Sequence, residues 1–199
     1  MWGAERTPEF QQQSVLDRAL ALAQQAVNLD GARAEAHALL GWILFFQNRL
    51  NEAVAEFEHA FGPNPNFVDG RYGLLLSHVG RAPEAIEHMK RAMRLDPFYP
   101  PSYTYWLGKA HYFSGNYEEA IGLIRSGAER QPGALAPRVL LAAVAARLGR
   151  HEEARATAAE VMATLPRFTI VNWVKFINIA DREYAERLMG DLRKAGLPG

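Results

Sequence analysis

Pro101-Ser-Tyr-Thr-Tyr-Trp-Leu-Gly108-Lys-Ala-His-Tyr-Phe-Ser-Gly115-Asn116-Tyr117-Glu-Glu-Ala120-Ile-Gly-Leu-Ile124, running on to Pro132, reads as two helices folded against each other. Ser114-Gly115-Asn116 is a turn, because glycine enters the left-handed conformation that ends a helix without steric cost. Glu118-Glu119 opens the second helix, where acidic side chains favour the positive helix end. Pro132 closes it, since proline has no N–H to continue the ladder. Gly108, Ala120 and Gly127 are small, and small residues let paired helix backbones approach closely.

Working outward, the same spacing recurs along the chain. Ala19, Ala53, Ala85, Ala120 and Ala154 are 34, 32, 35 and 34 residues apart. Seven residues after each stand Ala26, Ala60, Ala92, Gly127 and Val161, and twelve after stand Gly31, Pro65, Pro97, Pro132 and Pro166. Gly41, Gly73, Gly108 and Ala142 lie twelve before the last four of the first set. A fixed period of this length is the mark of a repeat architecture. Helices are expected at roughly 14–28, 34–47, 50–61, 67–79, 82–94, 102–114, 117–130, 135–148 and 151–164. Asp69 and Gly70 stand where bulky residues would be expected, and Gly62-Pro63 ends its helix early. From Arg167 the period breaks. Thr169–Ile179 starts like another first helix, and Asp181–Ala195 reads as a helix closed by Gly196.

Leu107-Gly108, Gly115-Asn116-Tyr117 and Ala120 fall on signature positions, and the pattern resembles the tetratricopeptide repeat (TPR). The resemblance implies an all-α, right-handed α-solenoid of helical hairpins with a C-terminal capping helix. It divides the chain into an irregular segment or junction at 1–13, a solenoid of one half repeat and four full repeats at 14–168, and cap helices with a tail at 169–199. Opening on half a hairpin suggests either a cut from a longer protein or an irregular cap. Leu95-Asp-Pro-Phe-Tyr-Pro-Pro-Ser-Tyr103 and Leu192-Arg-Lys-Ala-Gly-Leu-Pro198 are also similar to the C-terminal TPR region of bacterial class III adenylate/guanylate cyclases. That second resemblance implies the regulatory or assembly arm of a cytoplasmic signalling protein, without the cyclase catalytic motifs.

Composition narrows the function. The chain has 199 residues, 49% hydrophobic and 22% charged, which is too apolar for disorder. Its 22 basic and 22 acidic side chains balance, so a general polyanion or nucleic-acid binder is disfavoured. Zero cysteines exclude disulfides and thiolate metal sites. No apolar run is long enough to span a bilayer, and no signal-peptide stretch follows Met1.

Chemistry is hard to find. His37, His59, His78, His88, His111 and His151 form no His-Glu-x-x-His, and no two share one helix face at spacing three or four. Phosphate loops and nucleophile elbows are missing, so no catalytic residue, metal or cofactor is expected. Some first helices are nevertheless apolar on more than one face, where an amphipathic helix needs a single stripe. The surplus side chains are Trp42, Phe45, Phe46, Leu74, His78, Tyr105, Lys109, Tyr112 and Phe113. They match positions that line the concave groove of TPR proteins, and the expected partner is a peptide or protein held there. The alternatives are inter-repeat core and a pocket for a small molecule or lipid. An exposed first-helix face would also permit self-association.

Overall fold

The computed structural model describes residues 13–62, 64 and 66–199. The expected irregular segment at 1–13 thus falls almost wholly outside the described residues, as do Pro63 and Pro65. Eleven helices and no strand are described: α1 (Gln13–Leu29), α2 (Ala34–Phe46), α3 (Leu50–Phe61), α4 (Gly70–His78), α5 (Ala82–Leu95), α6 (Ser102–Phe113), α7 (Tyr117–Arg130), α8 (Leu135–Arg147), α9 (His151–Thr164), α10 (Ile170–Ile177) and α11 (Arg182–Lys194). Four hairpins, α2–α3, α4–α5, α6–α7 and α8–α9, stack in chain order, and α1 packs on α2. One continuous apolar core runs through them.

The repeated small residues form the seam of each hairpin. Ala53, Ala85, Ala120 and Ala154 are fully buried. A methyl group on Gly108 would sit 2.8 Å from Ile124 Cγ1 and 3.0 Å from the Ile124 backbone nitrogen. On Gly41 it would sit 2.9 Å from the Phe57 ring. Anything larger than glycine would push the two backbones apart.

The first helix of each of the four hairpins is followed by a residue in the left-handed conformation. Gly115, at φ 84°, donates its N–H to the Tyr112 carbonyl, and Asn116 donates to His111. This pair of bonds is a Schellman ending, which satisfies carbonyls the helix leaves open. Gly80 and Gly149 repeat the left-handed residue, and Asn48 adopts it at φ 65° in the first turn.

The first helix of the second hairpin departs from the reading. It begins at Gly70, three residues later than expected. Asp69 stays extended and caps the helix, accepting from Arg71 N at 2.9 Å while also gripping the Arg71 guanidinium. Gly70 lies beneath Tyr103, whose hydroxyl accepts the Gly70 N–H at 2.9 Å, and a Cβ there would overlap the ring. The unusual Asp-Gly pair therefore locks two hairpins together.

His88 ties this joint from the other side. Its Nε2 meets the Asp69 carbonyl at 2.8 Å, and its ring lies edge-on to Tyr72. Burial holds the imidazole below its ordinary pKa, against the opposing pull of the Asp69 carbonyl. Between that lowered value and the ordinary one near 6.5, the unfolded chain binds a proton that the folded chain refuses. Stability should therefore fall as pH drops below about 6.5, then level off once both states are protonated. Urea unfolding at neutral and mildly acidic pH checks this. His88→Gln should flatten part of the slope, and an unchanged slope in that variant would refute it.

Candidate interaction groove

The first helices α2, α4, α6 and α8 bring their C-terminal ends to one side of the solenoid. Of the nine side chains singled out in the sequence, only Trp42 is half-exposed. Phe45, Phe46, Leu74, His78, Tyr105, Lys109, Tyr112 and Phe113 are buried. Eight of the nine are thus packed inside the described structure, as the alternative of inter-repeat core expects. Leaving this much apolar surface in water would forfeit about 25 cal/mol per Å².

They are buried in two ways. Tyr105 belongs to its own hairpin, because Gly127 of α7 packs against its Cα and Cβ. Trp42, Phe45, Phe46, His78, Lys109, Tyr112 and Phe113 make a chain of contacts. Trp42 stacks on Phe45 at 5.1 Å, Phe45 meets the His78 ring at 5.1 Å, and His78 Nε2 lies 2.6 Å from Lys109 Nζ. Above these side chains lies the chain's own C-terminal segment.

The covering segment crosses the helix ends in order. Asn178 Nδ2 donates to Asn48 Oδ1 beside α2. The His78 carbonyl, at the end of α4, accepts the N–H groups of Ala180 at 2.9 Å and Asp181 at 3.3 Å. His78 Nδ1 lies 3.1 Å from the Asn178 carbonyl. With the Lys109 amino group donating to Nε2, Nδ1 carries the ring proton and donates it to that carbonyl. Tyr184 then stacks flat on Phe113 of α6, with centroids 4.5 Å apart and planes 3° from parallel. The Arg187 guanidinium donates to the Phe113 carbonyl at 2.8 Å. Asp191 ends the crossing. Its Oδ2 accepts from Tyr112 Oη at 2.7 Å and from Arg147 Nε of α8 at 2.8 Å.

Asp191 is fully buried. Burial raises the Tyr112 phenol well above its ordinary pKa, and the adjacent carboxylate adds to the shift. The phenol is therefore always the donor to Asp191. Gly80 matters here for two reasons. Its φ of 83° suits glycine, and a Cβ would fall 2.5 Å from Asp181 Oδ2.

Sequence reasoning missed Asn178, Asp181, Tyr184, Arg187 and Asp191. One signal was available. Tyr184, Leu188, Leu192 and Ala195 form an apolar stripe at helical spacing, and Asp191 sits inside it. A lone carboxylate on the buried face of a helix calls for a buried partner.

Residues 78–161 match the family model of the anaphase-promoting complex, cyclosome, subunit 3, and residues 8–66 match a tetratricopeptide-repeat model. No curated protein matches the sequence. Among solved structures, the chain is similar to PilW, a widely conserved type IV pilus biogenesis factor, with TM-score 0.70 and 17% identity over 93% of this chain and 88% of that one. It is similar to MamA from Desulfovibrio magneticus RS-1, with TM-score 0.64 and 18% identity over 78% and 89%. YrrB, a TPR protein with an unusual peptide-binding site, aligns with TM-score 0.60 and 20% identity over 84% and 87%. In fold the described residues form an all-helical solenoid that matches those of tetratricopeptide-repeat proteins. No helix of the described residues is long and apolar enough to cross a membrane.

Proposed function

We propose that the protein is a protein-interaction scaffold whose groove is held by its own C-terminal segment, residues 178–191, until a partner helix takes its place. The observation that carries this reading is the order of contacts. Asn178, Asp181, Tyr184, Arg187 and Asp191 meet the ends of α2, α4, α6 and α8 in succession, as a bound peptide would. Helix capture in a groove works through side chains at such spacings. The peptide-binding site named for YrrB supports a ligand of the same class.

The lining favours a helical occupant over a small molecule or lipid. Its aromatic rings already touch one another and the covering segment, and polar anchors stand along it at Asn48, His78 and Arg147. Membership in a cyclase-like signalling protein rests on the resemblance of Leu95–Tyr103 and Leu192–Pro198 alone. Leu192 and Leu197 are buried, and Gly196 closes α11 with φ 95°, so packing is reason enough for those residues.

A labelled peptide of residues 178–199 tests the reading. The full chain should bind it at least ten times more weakly than a Tyr184→Ala, Arg187→Ala variant. The tethered segment competes at an effective concentration of about millimolar. Equal binding, or no binding by either, with helicity retained, would sink the proposal.

A further inference from the structure

The geometry points to a divalent transition-metal site, of the zinc class, on the first hairpin, away from the groove. His37 of α2 and Glu56 and His59 of α3 place one ligand atom each within 4.8 Å of one another. Glu56 and His59 are three apart, so both face α2 from one side of α3. His37 Nδ1 lies 2.7 Å from Glu56 Oε2, which holds two of the three ligands together beforehand. The rings of His37 and His59 have centroids 5.6 Å apart at 70°. Two imidazoles sharing one metal at bonds of about 2.0–2.1 Å would have ring centres about 5 Å apart. A small rotation of the exposed His59 closes the difference.

A second observation concerns the proton inventory of His37. Its Nδ1 faces a carboxylate and its Nε2 faces the Gly31 carbonyl at 3.1 Å. Both neighbours only accept, and a neutral imidazole has a single N–H. With a metal at Nδ1, Nε2–H donates to Gly31, the outer bond that orients metal-bound histidines. Two imidazoles and one carboxylate are the donor set of zinc sites, whereas calcium and magnesium take oxygen. Three protein ligands leave the fourth position to water. Such a site would staple α2 to α3.

Titration of the full chain with zinc chloride at about pH 7.5, followed by calorimetry, tests this, because zinc ligation requires deprotonated histidine. One ion per chain should bind, with Kd on the order of micromolar, and the melting temperature should rise with zinc. His59→Ala and Glu56→Gln should each weaken binding at least about tenfold. His59 is exposed, so its loss leaves the fold intact. His151→Ala, at an exposed histidine on α9, should change nothing. Substituted cobalt should show the visible absorption of a four-coordinate site. No zinc uptake at about 100 μM, or uptake undiminished in His59→Ala, would overturn the proposal.

Discussion

Phe113→Ala is expected to destabilise the protein by about 3–5 kcal/mol, the cost of truncating a large buried aromatic. Phe113 is 2% exposed and lies between α6 and α11. Tyr112 lies beside it at 5.2 Å, Tyr184 covers its face, and its backbone carbonyl holds Arg187. Truncation removes the stacking surface of Tyr184 and leaves a void that the stiff α6 cannot close. The loss should be unevenly spread. Amides of α11 should exchange faster with solvent than those of the α6–α7 seam, because local openings follow the contacts that are lost. Chemical denaturation gives the total and hydrogen exchange gives the distribution. A loss below about 1 kcal/mol would place Phe113 in an open groove after all, since exposed side chains cost little to truncate.

The repeat was legible because its signals are local. Gly115 with positive φ, glutamates at the start of α7 and Ala120 at the seam each act within a few residues of where they stand. Their spacing therefore reports helices, turns and pairing directly. The start of α4 was misplaced because Asp69 competes with the helix for its own backbone and because Tyr103, 33 residues away, selects Gly70. The covering of the groove was harder still. Tyr112 and Asp191 are 79 residues apart, and His78 and Asn178 are 100 apart. A solenoid's period describes contacts between neighbouring repeats, and this segment obeys none of them. The surplus aromatics did announce that something covers α2 and α6. Nothing in their spacing said that the cover is part of the same chain.

Asp191→Ala should show what holds that cover down. The carboxylate is fully buried, and its Oδ2 serves both Tyr112 and Arg147, while Lys194 Nζ stands 3.7 Å from Oδ1. Removing one member of a buried pair leaves the others without compensation, typically at about 3–5 kcal/mol. Here the loss should lie near about 3 kcal/mol, because the Arg147 side chain is 30% exposed and can turn to water. Adding Tyr112→Phe should then cost less than it does in the parent, as the phenol has already lost its acceptor. The double-mutant cycle should give a coupling within about 0.5–3 kcal/mol. Glu186→Ala, on the same helix, breaks an ion pair with a 90% exposed Arg182 and should change stability immeasurably. The two acidic residues differ in burial and not in charge, so burial decides which one anchors α11. Strict additivity of Asp191→Ala and Tyr112→Phe would mean that the carboxylate acts through Arg147 and Lys194 and not through the Tyr112 phenol. A displacing helix would then need an acidic side chain for Arg147 beside its Tyr184-like and Leu188-like side chains to compete.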